Sequence, residues 1–210
     1  MRLLSVNIGT PRSIEAKSGQ SGIFKVPVSE PVQIGALGLS GDHIVDTENH
    51  GGLDQAVYVF TQPDYDFWSQ LLGRVLAPGT FGENLLVSDL ESAPMSIGER
   101  LHVGEVVLEI TSARIPCVTL AVRMNDPQFV KTFRRVRRPG FYARVISEGK
   151  VQAGQPVTLE GQRPLDGPSV LDTFEYYYSK FHTPAEIEHL LSAPLHRQMR
   201  AQLEAELSGR

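Results

Sequence analysis

The stretch VGEVVLEITSARIPC, residues 103–117, decides how the chain is read. Val106, Leu108 and Ile110 share one face of a period-two pattern, the mark of a strand with a buried side. The spacing predicts a strand over 103–111. Pro116 has no backbone donor and biases Ile115 toward an extended conformation, so the strand runs into a fixed turn that carries Arg114 and Cys117. Similar short apolar runs lie at 3–8, 22–28, 56–60, 84–87, 140–146 and 156–160. The 19 Gly and 14 Pro spread between them mark the turns. Many short strands divided by Gly-rich turns point to a barrel or a sandwich and away from a doubly wound parallel sheet.

Helices interrupt this pattern twice. Thr61-Gln62-Pro63-Asp64 combines a capping hydroxyl, an early proline and an acid, and predicts a helix to about Leu72, where Gly73 stops it. Asp126-Pro127 repeats the pattern and predicts a helix to about Arg135. After Glu160 the strand signals end. Residues 161–168 read as a polar linker. Ser169-Val-Leu-Asp172 and Thr183-Pro-Ala-Glu186 both have capping-box spacing. A third helix from Pro194 would align Leu195, Met199, Leu203 and Leu207. Three short helices bury little alone, so they are expected to pack on the main domain or on a partner.

The bulk properties narrow the function. With 41% hydrophobic and 21% charged residues, the chain of 210 residues has globular proportions and can form a core without staples. A net charge of −4 argues against a dedicated nucleic-acid binder. The single cysteine allows neither an intrachain disulfide nor a cysteine-clustered zinc site. No apolar run reaches signal-peptide or membrane-span length, and a soluble cytoplasmic protein with no membrane partner is expected.

Four features could carry chemistry. Cys117 lies three residues from Arg114, whose charge favours the thiolate, the form that ligates soft metals; a lone cysteine is otherwise a small buried hydrophobe. His50-Gly51-Gly52 offers an imidazole and backbone N–H groups that can approach an anion, or a plain turn. Asn84, after Gly82, can read a heterocycle edge or cap its own turn. Lys131, Arg134, Arg135, Arg137 and Arg138 form a local basic run, followed by Arg144, suited to a phosphate or to a solvated helix end. No phosphate-binding P-loop, nucleophile elbow or paired zinc-binding histidines on one helix are present.

Taken in order, Gly38-Leu-Ser-Gly41-Asp42, His50-Gly-Gly-Leu-Asp54-Gln-Ala-Val57, Phe81-Gly-Glu-Asn-Leu85, Arg114-Ile-Pro-Cys117, Gly140-Phe-Tyr-Ala-Arg-Val145 and Gly149-Lys-Val-Gln-Ala-Gly154, with Gly22-Ile-Phe-Lys25 ahead of them, resemble the MOSC domain family. The resemblance covers about residues 1–160. The tail is similar to the three-helix extension of stand-alone bacterial members of the YiiM-like type. This implies a mostly β, barrel-like MOSC domain with inserted short helices over 1–162, a helical extension over 163–210, and an α+β chain overall. It also implies a molybdenum cofactor (molybdopterin) in a cleft, with Cys117 as the metal ligand. The activity implied is reduction of N-hydroxylated bases, amidoximes and similar compounds, with electrons from a separate reductase or small redox protein. On this resemblance Lys25, Arg114, Arg138 and Arg144 are expected to anchor the phosphate and pterin. Asn84 and the backbone of Gly51 and Gly52 are expected to read the pterin edge, and His50 to pass protons. His50, Asn84, Arg114, Cys117 and Arg144 should then meet in one cleft. The same pocket would serve a carrier that delivers the cofactor, or sulfur held on Cys117, to another enzyme. In a further alternative, the helical tail docks a partner and the β domain is a scaffold.

Overall fold

The computed structural model of the protein describes residues 1–16, 19–45, 50–160 and 167–209. Its elements, in chain order, are β1 (Leu3–Ile8), β2 (Arg12–Ser13), β3 (Gln20–Ser21), β4 (Val26–Val28), β5 (Val32–Gly35), β6 (Gly38–Leu39), a 3-10 turn (Leu53–Gln55), β7 (Val57–Thr61), α1 (Gln62–Leu72), β8 (Leu85–Val87), β9 (Arg100–Val103), β10 (Val106–Ala113), α2 (Val118–Met124), α3 (Phe129–Val136), β11 (Phe141–Ser147), β12 (Gly149–Val151), β13 (Val157–Leu159), α4 (Val170–Tyr178), α5 (Pro184–Leu191) and α6 (Arg197–Ser208).

Eight strands form the main sheet in the order β13-β9-β10-β11-β7-β8-β1-β4; β12-β5-β6 and β2-β3 are small separate sheets. Pairing in the main sheet is antiparallel except between β7 and β8, which α1 connects as a crossover. The result is an α+β fold, as the strand and helix patterning predicts. The barrel is not closed among the described residues. At one end of the order stands β4, three residues long with Pro27 in its middle, which has no N–H to extend a ladder. The sheet's approach to closure is a single bridge between Arg2, just before β1, and Pro156, just before β13, with Leu3 N–H donating to Gln155 O at 2.9 Å.

The deciding stretch folds as a hairpin rather than one strand. Val103 of β9 pairs with Val106 of β10, and Gly104, at φ 60°, turns the chain in the left-handed region. Val106, Leu108 and Ile110 are fully buried, as their alternation requires. Two register shifts in the β10–β11 ladder, between Val107 and Leu108 and between Ile110 and Ser112, add local twist to the strand that leads to Arg114. Helix α2, directly after Cys117, and the short strands β5, β6 and β12 have no counterpart in the sequence reading. They are too short for a periodic signal to stand out.

Buried rings fill the space between sheet and helices. Phe60 of β7 stacks on Phe81 at 4.5 Å; Trp68 of α1 lies 5.3 Å from Phe133 of α3, and Phe133 lies 6.4 Å from Phe174 of α4. Each such pair adds roughly 0.5–1.5 kcal/mol beyond the area it buries. Helix α1 ends on Gly73 as expected, but the Thr61 hydroxyl makes no cap bond and is buried without a hydrogen-bond partner among the described residues. Helix α3 starts at Phe129, with the Asp126 carboxylate accepting from Gln128 N–H at 2.8 Å.

Both expected capping boxes form, at Ser169 on α4 and Thr183 on α5. On α6, Leu203 is fully buried and Met199 and Leu207 pack against the core, with Leu195 buried just before it. The tail therefore docks on the sheet. The linker expected over 161–168 falls mostly outside the described residues, as does a boundary between 162 and 163. Among the bonds that fix the docking, Ala113 N–H donates to Thr173 Oγ1 at 2.9 Å, and His196 N–H donates to Thr111 O at 3.1 Å. Thr173→Val keeps the side-chain shape but strands the buried Ala113 N–H. It should destabilise the protein by about 1–3 kcal/mol, the cost of an unsatisfied buried donor, read as a lower urea midpoint with an unchanged slope.

Candidate functional site

Where β10 ends, the chain delivers Arg114 and Cys117 to a narrow recess of about 100 Å³. Cys117 is extended and precedes the first turn of α2, and Leu120 N–H bonds back to its carbonyl at 3.0 Å. His50 Nε2 lies 3.8 Å from Cys117 Sγ. Burial pushes the thiol pKa up. The His50 hydrogen bond, the Arg114 guanidinium and the α2 backbone outweigh burial and bring it down to about 6. At neutral pH Cys117 is therefore a thiolate.

Arg114 is only 4% exposed. Its guanidinium lies 5.8 Å from the Tyr58 ring centroid and 5.7 Å from that of Phe133. Its Nη1 has no hydrogen-bond partner among the described residues. A buried guanidinium nitrogen without an acceptor is costly, and a ligand oxygen or nitrogen in the recess would complete it.

Lys25 and Asn84 line the same recess, but their polar atoms are largely taken. The Lys25 ammonium is paired with Asp42. Burial lowers its pKa while Asp42 opposes the shift. Asn84 Oδ1 accepts from Tyr58 N–H at 3.1 Å, and its Nδ2 donates to Asp42 at 2.8 Å. These bonds hold β7 and the 81–84 turn together, so the amide does not face a ligand as a free reader. Beneath the turn, Glu83 accepts from Tyr65, Gly79 and Phe81; burial raises its pKa to about 7 against these donors.

The glycines divide. Gly51 lines the recess at φ 78°, and a Cβ there would meet Ile44 Cδ1 at 2.7 Å. Gly52 caps the 3-10 turn and is not among the lining residues.

Arg138 and Arg144 lie elsewhere, which corrects the expectation that they anchor the ligand. Arg138 pairs with buried Asp64 at 2.7 Å and with Glu91, over the Phe67 ring. Arg144 pairs with Asp54 at 3.1 Å and donates to Pro194 O and Leu195 O. Both satisfy buried or half-buried acceptors of the fold. Two more residues of the basic run are engaged within the fold: Arg137 pairs with Glu175, and Arg134 covers the Tyr178 ring at 4.4 Å. Of the five residues expected in one cleft, the structure brings together His50, Asn84, Arg114 and Cys117.

Several lining residues escaped the sequence reading, notably Gln55, Tyr58, Thr119 and Tyr142. Tyr58 and Tyr142 sit in predicted strands, where an aromatic reads as core. Near the recess, Arg12 and Arg123 flank the Phe24 ring at 5.7 and 4.9 Å, beside the lining residue Ile23. They are separated by over a hundred positions, so no local pattern joins them.

The open α+β sheet, with an activated cysteine and a buried arginine at its end, has the form of a MOSC domain. Residues 46–158 match the MOSC domain family, and the chain belongs to it. Protein YflK of Bacillus subtilis (strain 168) is 35% identical over 192 residues, which is 90% of this chain and 86% of that protein. A Gibberella moniliformis protein named Reductase is 30% identical over 161 residues, 72% of this chain but 28% of the fungal protein's length. The crystal structure of YiiM from Geobacillus stearothermophilus aligns with a TM-score of 0.80 at 27% identity, covering 98% of both chains.

Alkylation of Cys117 in the ligand-free protein tests the electrostatics. Only the thiolate reacts, so the rate should rise with pH to a plateau, with a midpoint near 6. His50→Ala removes a hydrogen-bond donor to the thiolate and should move the midpoint upward. A wild-type midpoint at or above 8.5, the ordinary free-thiol value, would contradict the arrangement.

Proposed function

We propose that this MOSC protein is a molybdenum-cofactor-dependent oxidoreductase that reduces N-hydroxylated compounds, with electrons from a separate redox protein. The observation that carries this reading is the pairing of a low-pKa thiol with a buried guanidinium nitrogen lacking an acceptor, in one recess. The residues fit the cofactor that MOSC domains are generally linked to. Cys117 offers one soft donor, suited to a metal that brings further sulfur ligands of its own. No group of three or more His, Cys, Asp or Glu among the described residues could hold a bare ion. Arg114 offers a charged donor to the organic part. The name of the fungal relative agrees with redox chemistry.

When bound, the molybdenum–pterin group would supply the two-electron, oxygen-accepting chemistry. The protein's residues do the rest. Cys117 holds the metal side through sulfur, and Arg114 offsets the thiolate charge. His50, within reach of Sγ, holds a proton at Nε2 where a departing hydroxyl needs one. The balanced conversion is R–NHOH plus two electrons and two protons to R–NH2 plus water.

The test uses protein made in a host that synthesises the cofactor, assayed with an artificial electron donor and an N-hydroxylated base. Metal and pterin content are measured beside turnover. Cys117→Ser should abolish turnover while costing below about 1.5 kcal/mol of stability, as near-isosteric swaps do. Full activity in a loaded serine variant removes Cys117 from the chemistry. Release of cofactor to an acceptor enzyme, with no turnover by the loaded wild type, favours a carrier instead.

A further inference from the structure

Cys117 faces two spaces. The recess holds Lys25 and Arg114. On the other side lies a larger chamber of about 520 Å³, within the usual size of small-molecule sites. The two share Cys117, His50, Gln55, Thr119 and Tyr142. The outer chamber is closed on one side by the C-terminal helices, through Tyr177 of α4, His196 before α6, and Gln198, Met199 and Gln202 of α6.

We propose that this outer chamber is the substrate site of the reductase, that Gln198 and Gln202 read the substrate, and that it admits uncharged flat N-hydroxylated heterocycles but rejects their phosphorylated forms. The inference rests on the functional reading above and adds where the substrate sits and what selects it.

Three observations support it. First, the lining carries no Asp, Glu, Lys or Arg among the described residues, in contrast to the recess. A phosphate entering the chamber would lose water and gain no cation. His196 does not change this: burial lowers its pKa, so the ring is neutral at pH 7. Second, Gln198 and Gln202 stand one helical turn apart on one face and make no side-chain hydrogen bond among the described residues. Each amide presents a donor and an acceptor, the pattern of a neutral heterocycle edge. Tyr177, which is 60% exposed, adds an aromatic face on the open side.

Third, α6 is held in register by motif residues that the recess leaves unused. Asp54 accepts from Arg197 N–H at 2.9 Å and pairs with Arg144, which in turn donates to Pro194 O and Leu195 O. The Asp54 backbone carbonyl also accepts from the Thr111 hydroxyl at 2.6 Å. Asp54 and Arg144 are thus positioning residues. They place the glutamines opposite Cys117.

The experiment compares 6-hydroxylaminopurine with the corresponding nucleoside 5′-monophosphate. Binding is measured by calorimetry on cofactor-loaded protein, and turnover and pterin content are measured on the same samples. The base should bind at least about tenfold more tightly than the monophosphate, the discrimination expected when a charged group is desolvated without a partner. Gln198→Ala with Gln202→Ala should weaken base binding about tenfold or more, since two hydrogen bonds are lost, with pterin content unchanged. Gln202→Arg should narrow the gap by improving monophosphate binding. Equal binding of both ligands by the wild type overturns the proposal, as does unchanged base binding in the double variant. If the double variant loses base binding but the loaded wild type reduces no N-hydroxylated compound, the chamber stands and the reductase reading falls. If wild type and double variant reduce the base equally well, the reverse holds.

Discussion

The antiparallel pairing of β10 with β11 sets the position of almost everything that matters in this protein. Six residue pairs, from Val107 with Ser147 to Ala113 with Phe141, tie a largely buried strand to its neighbour. Val106, Leu108 and Ile110 anchor one face in the core. On the other, Glu109 meets Arg100 and Arg144. At its end the backbone of Thr111 and Ala113 holds the C-terminal helices, and the next residues are Arg114 and Cys117. The strand thus carries the thiol, with only Arg114, Ile115 and Pro116 between them.

Electrostatics then separate two environments around one sulfur. In the recess, the guanidinium of Arg114 is kept in a poorly solvated place by aromatic faces and lacks a full set of acceptors. This stabilises negative charge on Cys117 and on whatever fills the recess. On the outer side the lining is amides, hydroxyls, imidazoles and apolar groups, with no Asp, Glu, Lys or Arg among the described residues. On the function proposed above, the charged group would fill the recess and the uncharged substrate the outer side. The dense aromatic packing behind Arg114, from Phe60 to Phe174, gives this contrast a stiff support.

The cationic residues show how composition can mislead. Eight residues with five positive charges look like an anion site. In the fold, Arg137 and Arg138 meet Glu175, Asp64 and Glu91, and Arg134 lies on Tyr178. Arg144 likewise serves the attachment of α6. Lys25, quoted within a motif, is spent on Asp42. Among the described residues two expected anchors keep a buried donor without a partner, Arg114 at Nη1 and Arg144 at Nε, and of these only Arg114 lines the recess.

Sequence alone determined what depends on local pattern. The strand density, the two capping boxes, the stop at Gly73 and the apolar stripe of the last helix are set by steric and hydrogen-bonding preferences over a few residues. The order of motifs likewise marked Cys117, Arg114 and His50. Tertiary structure decided what depends on pairing at long range. It left the expected barrel unclosed among the described residues, and it split residues 103–111 into a hairpin arm and a strand. It gave Arg138 and Arg144 partners distant in the sequence, as with Arg138 and Asp64 or Arg144 and Pro194, and turned Arg114 toward a ligand space. It also brought Gln198 and Gln202 to the chamber that Cys117 faces. A charge or an amide in a sequence specifies only what it can bond to. Which partner reaches it first is decided by packing, because burial makes an unmatched polar group too costly to leave and any near acceptor claims it.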